Sequence, residues 1–118
     1  IDIDGCREVT VSDCIIETAD DAVCLKAHRY AGKYRACEDI TVTNCVTTST
    51  SAALKIGTGT VGDFRRIVFS NCTVKNTNRA LNIVGRHGGT IEDILFTNIT
   101  VECNRKHYNW WGDGELFK

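Results

Sequence analysis

Four copies of one short pattern recur along the chain at nearly constant spacing. The copies are EVTVSDCII from Glu8, DITVTNCVT from Asp39, RIVFSNCTV from Arg66 and DILFTNITV from Asp93. Their seventh positions, at residues 14, 45, 72 and 99, are separated by 31, 27 and 27 residues. A repeat of this length is one structural unit that buries its apolar face only by stacking on its neighbours. The repeat therefore predicts a solenoid of stacked coils.

Each copy also shows the alternation expected of a β-strand. Apolar side chains occupy every second position, as in Val9 and Val11, which gives a strand one buried face. A second strand-like segment follows each of the first three copies: AVCLK from Ala22, ALKIG from Ala53 and ALNIV from Ala80. The intervals between these segments lack helical periodicity, which disfavours an array of alternating strands and helices. We predict an all-β parallel β-helix of about four coils, with residues 1–118 as a single domain.

Stacking of the coils determines which side chains become neighbours. Alignment of the second segments predicts two inward rows, one of Val23, Leu54 and Leu81 and one of Leu25, Ile56 and Ile83. Expected on the outer face are the intervening residues Cys24, Lys55 and Asn82, followed by Lys26 and Val84. The second strand of each coil therefore presents one face to the core and one to solvent.

The sixth and seventh positions of the pattern predict two further rows. The sixth position, where the strand is expected to bend, carries Asp13, Asn44, Asn71 and Asn98. Asn and Asp tolerate left-handed backbone angles, so we expect a stacked polar ladder there. The seventh position carries Cys14, Cys45, Cys72 and Ile99. Because isoleucine takes the same position, we expect a row of small buried thiols rather than disulfides.

Charge and cysteine content narrow the classes of partner. The chain has 14 Lys plus Arg against 15 Asp plus Glu, so its charge balance favours neither nucleic acid nor a membrane surface. No apolar run approaches the roughly 18 residues that span a bilayer. The 7 cysteines include no C-x-x-C pair, which disfavours zinc and redox sites. We therefore expect no metal site, no nucleic-acid partner and no membrane partner.

Both ends of the chain depart from the repeat. The first residues, IDID, begin within a strand-like pattern that has no cap. We expect the chain to be part of a longer β-helix, or to self-associate through its uncapped coil ends. The C-terminal HYNWWGDGELFK breaks the repeat. Its Trp110–Trp111 pair has two interpretations, a plug over the last coil or a platform for a sugar face.

The segment TADDAVCLKA, residues 18–27, places Asp20 and Asp21 side by side at the start of a strand. Together with IDIDGCREVTVSDC from Ile1 and the coil pattern, it resembles the polygalacturonase family, glycoside hydrolase family 28, over nearly the whole chain. Members carry N-T-D-G-I-D, then G-D-D-x-x-A-I-K, then G-H-G and R-I-K in later coils. The resemblance implies a right-handed parallel β-helix that hydrolyses pectin-type polysaccharides.

By this resemblance, Asp20 is the general acid and Asp21 is one of two water-activating bases. Inverting glycosidases hold a carboxylic acid and a carboxylate roughly 6.5 to 9.5 Å apart. Crowding of two carboxyl groups helps one of them to keep its proton. The other base of the family is the Asp of N-T-D, which would lie just before Ile1.

The basic motifs of the family are replaced in this chain. In phase with Asp21, the family's His falls on Ala52, and the Arg and Lys of R-I-K fall on Asn82 and Val84. In typical members these basic residues hold the carboxylate of the substrate. We expect neighbouring residues to compensate, and the predicted substrate-binding residues are Lys26, Lys55, Asn82, Arg86 and His87.

One excursion between coils has a composition of its own. The segment AHRYAGKYR, which contains His28, combines basic and aromatic residues. It either rims a groove for an acidic glycan or forms a solvated loop.

Three classes of function remain open. The first is an inverting glycoside hydrolase that acts, without a cofactor, on a pectin-type or related uronic-acid polysaccharide. The second is a non-catalytic carbohydrate-binding or structural β-helix. The third is a polysaccharide lyase with Lys55 or Arg86 as base, although the Asp20–Asp21 pair alone is a poor calcium cage. A polysaccharide partner implies a secreted or periplasmic protein.

Overall fold

The computed structural model describes residues 1–106 and 114–118, and these residues form strands but no helix. None of them, therefore, forms a helix that could cross a membrane. In chain order the strands are β1 Asp2–Asp4, β2 Arg7–Ser12, β3 Ile15–Thr18, β4 Val23–Ala27, β5 Arg29–Tyr30, β6 Lys33–Tyr34, β7 Cys37–Thr43, β8 Val46–Ser49, β9 Ala52–Thr60, β10 Phe64–Ser70, β11 Thr73–Thr77, β12 Arg79–Ile83, β13 Ile94–Thr97, β14 Thr100–Cys103 and β15 Glu115–Phe117.

Three parallel sheets run the length of the stack. Their strand orders are β1-β4-β9-β12-β15, β13-β10-β7-β2 and β14-β11-β8-β3. Each coil contributes one strand to each sheet, and the coils form a parallel β-solenoid of about 4 turns. The predicted all-β parallel β-helix is confirmed. The repeated pattern contains two strands rather than one bent strand, because the left-handed residue at its sixth position ends one strand before the next begins.

The register of the first sheet is the one that the sequence predicts. Val23 pairs with Leu54 and Leu54 with Leu81, while Cys24 pairs with Lys55 and Lys55 with Asn82. The inward residues Val23, Leu25, Leu54 and Ile56 are fully buried in one apolar cluster. Side chains about thirty positions apart in the chain are therefore neighbours along one wall.

Two rows of left-handed residues form the corners of the coils. The predicted ladder of Asp13, Asn44, Asn71 and Asn98 has φ between 51° and 58°. Asn44 Nδ2 donates to Asp13 Oδ1 at 3.2 Å, and Asn98 Nδ2 donates to Asn71 Oδ1 at 2.6 Å. A second row, at the first position of the pattern, has φ between 53° and 57° and comprises Glu8, Asp39, Arg66 and Asp93. Each coil therefore turns at two corners with the same backbone geometry.

All seven cysteines are free thiols, as the sequence predicts for the row of Cys14, Cys45 and Cys72. Cys45 and Cys72 are buried as expected, whereas Cys14 is only partly buried. The outer-face row differs from expectation, because Cys24 and Asn82 are fully buried and Lys55 is only 9 % exposed. Cys24 Sγ donates to the carbonyl oxygen of Gly57 at 3.0 Å, so the chain beyond Ile56 covers Cys24. At the last coil, β15 pairs with β12, and Phe117 contacts Phe96 edge to face. The Trp110–Trp111 pair lies outside the described residues.

Candidate functional site

A groove of about 440 Å³ lies over the outer face of the first sheet. The two acidic residues that line it are Asp20 and Asp21, which precede β4. The basic residues that line it are Lys26, Lys55, Arg79, Arg86 and Lys118. Since these come from successive coils, the stacking of the solenoid collects them on one surface. Cations outnumber carboxylates in the groove, which favours an anionic ligand.

Asp21 is held in place by three donors from the next coil. Lys55 Nζ lies 2.6 Å from Asp21 Oδ2 in a salt bridge whose side chains are 11 % and 9 % exposed. Asp21 Oδ1 accepts hydrogen bonds from Ser51 Oγ at 2.8 Å and from the backbone N–H of Ala52 at 3.1 Å. Ala52 is the residue that falls in phase with the family's His. The position therefore supplies a backbone donor to Asp21.

Arg79 extends this network into the following coil. Its Nη2 donates to Ser51 Oγ at 2.9 Å, and the whole residue is 6 % exposed. No carboxylate among residues 1–106 and 114–118 lies within salt-bridge distance of Arg79, and its Nε has no partner there. A buried guanidinium without a counter-charge is costly unless an anion pairs with it. Arg79 is therefore a cation that lines the groove and lacks a carboxylate partner among the described residues.

Asp20 differs from its neighbour in that its side chain is exposed. Its backbone is fixed, because its N–H donates to Thr18 Oγ1 at 3.1 Å and its carbonyl accepts from Ser49 Oγ at 2.6 Å. Its carboxyl group has no partner in the part of the chain that the structure describes. One carboxyl group of the pair is thus locked by salt bridge and hydrogen bonds, and the other is available to a ligand.

Lys26 lines the groove and follows the core residue Leu25 in β4. It donates to Asp2 Oδ2 at 2.6 Å. Burial acts to lower the pKa of Lys26, but the hydrogen bond from its ammonium to Asp2 and the nearby negative charges raise it above its ordinary value. Between Lys26 and Asp21, burial raises the pKa of the Cys24 thiol to about 12, with the charge of Asp21 adding to the effect. Cys24 is therefore an inert neutral thiol beneath the groove.

The structure brings together five of the seven residues that the sequence singles out, namely Asp20, Asp21, Lys26, Lys55 and Arg86. Asn82 and His87 do not line the groove. Asn82 is fully buried, and neither of its side-chain polar atoms has a partner among the described residues. His87 contacts the preceding coil, where its Nδ1 accepts a hydrogen bond from Thr60 N at 3.4 Å. Their assignment to substrate binding stays a prediction.

Arg79 and Ser51 are among the groove residues that the sequence analysis missed. Both lie where a coil turns into the first sheet, outside the alternating pattern that marked the other candidates. The sequence did contain a signal for Arg79, namely its position within the repeat. The register pairs Arg79 with Ala52, and Ala52 is the residue aligned with Asp21. Extending the alignment backwards from Leu81 would have found Arg79, a cation at the position of Asp21 two coils beyond the acidic pair.

The part of the chain that the structure describes contains no group of three or more His, Cys, Asp or Glu side chains placed to hold a metal ion. Within the acidic pair, Asp21 is bound to the cation Lys55 instead. Searches for similar proteins found no matching family model, no matching curated protein and no matching solved structure.

Proposed function

We propose that this chain forms the catalytic groove of a glycoside hydrolase that resembles polygalacturonases and cleaves a uronic-acid polysaccharide with inversion. The observation that carries the proposal is the position of Arg79. It is a buried guanidinium without a carboxylate partner, and it lies in a groove that also contains a free carboxyl group at Asp20. Such a guanidinium fits a carboxylate of the polymer, as Arg pairs with carboxylates through two parallel hydrogen bonds.

The two carboxyl groups suit different roles. Asp20, exposed and without a partner, donates its proton to the glycosidic oxygen as the bond between that oxygen and the anomeric carbon breaks. Asp21, held by Lys55, accepts the proton of the water that attacks the same carbon from the opposite face. The products are one sugar with an inverted anomeric hydroxyl and one with a free hydroxyl. No cofactor enters this balance.

Lys55 and Arg79 support a ligand that is acidic rather than neutral. In the resemblance, the positions of the substrate-binding Arg and Lys fall on Asn82 and Val84, neither of which carries a charge. Lys55 lies one coil before Asn82 in register, and Arg79 precedes it in the same strand. The positive charge is thus supplied by Lys55 and Arg79, which are neighbours of Asn82. A polymer substrate also leads us to propose that the protein acts outside the cytoplasm, as a secreted or periplasmic protein.

A second candidate, a non-catalytic module for acidic glycans, is favoured by one observation. All three hydrogen bonds to Asp21 come from the protein itself, so its carboxylate is engaged before any ligand arrives. A groove with one free carboxyl group can bind a polymer without cleaving it. Binding of pectic fragments without release of reducing ends would favour this candidate.

The test is the release of reducing ends from polygalacturonate by the parent protein and by Asp20→Asn and Asp21→Asn variants. We expect each variant to lose about a hundredfold in rate or more, which is the usual contribution of a general acid or base. The matched control is Asp39→Asn, because Asp39 pairs with Arg66 at a corner of the solenoid away from the groove. If Asp20→Asn cleaves as fast as the parent, the hydrolase proposal is wrong. Products that absorb through a new double bond would instead indicate a lyase.

A further inference from the structure

A second cavity of about 420 Å³ lies beside the turn that follows β1 and shares no lining residue with the groove. One of its walls is Asp4 and the turn at Gly5 and Cys6. The other is the hairpin of β5 and β6, which contributes His28, Tyr30, Lys33, Tyr34 and Arg35. We call this space the hairpin cavity.

The hairpin is fastened to the first coil through Asp4. Asp4 Oδ2 accepts from Tyr30 Oη at 2.8 Å and lies 2.7 Å from His28 Nδ1, while Asp4 Oδ1 accepts from His28 N at 3.0 Å. The hairpin also packs closely against two glycines of the third coil. A Cβ on Gly59 would lie 2.2 Å from His28 Nε2, and a Cβ on Gly62 would lie 2.7 Å from the carbonyl oxygen of Arg35. The cavity is therefore formed before any ligand binds.

The aromatic side chains of the hairpin are exposed, and Tyr30 is held in place. Tyr30 and Tyr34 are 65 % and 55 % exposed. The hydroxyl of Tyr30 is bound to Asp4, and its ring contacts the ring of His28 edge to face at 6.1 Å between centroids. Exposed aromatic rings that are held rigid offer an apolar face at low entropic cost.

The charge of the hairpin is entirely positive. Residues 28–35 include Arg29, Lys33 and Arg35 and no acidic residue. Within the described residues, Lys33 and Arg35 make no salt bridge. Both line the hairpin cavity, whereas Arg29 does not. The cavity thus combines an aromatic wall with two uncompensated cations.

We propose that the hairpin cavity is a subsite for a carboxylated pyranose unit of an acidic polysaccharide, with Tyr34 against the sugar face and Arg35 and Lys33 on the carboxylate. The identity of this ligand rests on the proposed function of the groove. Lys26 lines the groove and His28 lines the cavity, two residues further along the chain. In extended backbone that separation is roughly 7 Å, so one polymer chain can occupy both sites.

The test is the affinity for a galacturonate oligomer, measured by calorimetry in the Asp20→Asn background so that the probe is not consumed. We expect Tyr34→Ala and Arg35→Gln each to weaken binding by about tenfold, the usual loss for a charge-assisted or stacking contact. The matched control is Arg29→Gln, which removes one positive charge from the same hairpin outside the cavity and should leave the affinity unchanged. Circular dichroism checks that each variant is folded, and Arg35→Gln decides the result if Tyr34→Ala is not.

Failure of the subsite and failure of the hydrolase proposal give different results. If the parent releases no reducing ends but the hairpin variants weaken binding, the subsite stands and the hydrolase does not. If both hairpin variants bind as well as the Asp20→Asn protein, or if Arg29→Gln weakens binding equally, the subsite is refuted. The same holds if the Asp20→Asn protein does not bind the oligomer.

Discussion

Lys55 and Asp21 form a salt bridge of 2.6 Å across two coils of the solenoid, and both side chains are about nine-tenths buried. Because they are separated by 34 positions in the chain, only the stacking of coils brings them together. The pair links the fold to the candidate site. It also explains why one member of an adjacent acidic pair is locked while the other is free.

The first prediction concerns this salt bridge. Lys55→Met leaves the Asp21 carboxylate buried without its counter-charge, and breaking a buried pair costs about 3 kcal/mol in free energy of unfolding. The double variant Lys55→Met with Asp21→Asn should recover part of that loss, because it removes the unpaired charge. Urea denaturation measures both.

Lys118→Met serves as the control for this experiment. Lys118 also lines the groove, but its side chain is 49 % exposed where it pairs with Glu115. A surface pair of this kind contributes about 1 kcal/mol or less. Equal losses for Lys55→Met and Lys118→Met would contradict the burial of the pair at residues 21 and 55.

The second prediction concerns stability in acid. Burial acts to raise the pKa of Asp4, but hydrogen bonds from the backbone and ring of His28 and from Tyr30 lower it below the ordinary value of 3.8. The carboxylate therefore stabilises the fold above pH 3.8, and this contribution is lost as the pH falls through the lower folded-state pKa. Asp4→Asn should be less stable at neutral pH and lose less stability on acidification.

Thermal unfolding at neutral and acidic pH measures this effect. Asp13→Asn is the control, because the other coils already carry Asn at that corner. The groups that face Asp4 are His28 and Tyr30, with Lys26 as its partner in register. If Asp4→Asn and the parent lose the same stability on acidification, the stabilising role assigned to the Asp4 carboxylate is refuted.

The third prediction concerns thiol reactivity. Cys24 is fully buried, and burial raises its pKa to about 12, so at pH near 8 it holds almost no thiolate. We expect iodoacetamide to leave Cys24 unmodified in the folded protein and to label the partly exposed Cys14 faster. Peptide mass spectrometry measures the extent of labelling. Labelling of Cys24 at the rate of Cys14 would show that the outer face of β4 is open.

The fourth prediction concerns the corner ladder. Asn71 has φ of 52°, a left-handed angle that costs an alanine about 1 kcal/mol or more. Its Oδ1 also accepts from Asn98 Nδ2. Asn71→Ala should therefore lower the free energy of unfolding more than Asn71→Gly, since glycine adopts this angle without strain. If the alanine variant is the more stable of the two, backbone strain does not govern the corner.

Much of the fold could be predicted from the sequence because its signals are local and repeated. The alternation of Val23 and Leu25 identified the inward face, and the spacing of the copies set the register with Leu54 and Leu81. Five of the predicted site residues then line one groove, since their phase along the coils was already known. Stacking of the coils therefore places residues of the repeat on one surface.

What the sequence did not predict depends on how the chain runs between strands. Cys24 and Asn82 alternate with core residues and were expected to face solvent, yet both are fully buried. The cover over Cys24 comes from Gly57, whose φ of 100° redirects the chain beyond Ile56. The repeat pattern of the sequence does not predict the path of the chain beyond Ile56. Arg79 was missed because it precedes the aligned segment that begins at Ala80, and its hydrogen bond to Ser51 forms only across coils.

The central claim is that the groove selects a carboxylated polymer through Arg79, a buried cation without a carboxylate partner among the described residues. The direct measurement is the affinity for polygalacturonate and for the same polymer after full methyl esterification, at one ionic strength, for the parent and for Arg79→Gln. We predict that the parent binds the acidic form about tenfold more tightly, and that Arg79→Gln loses most of this preference. Equal affinity of the parent for the two polymers would contradict the claim.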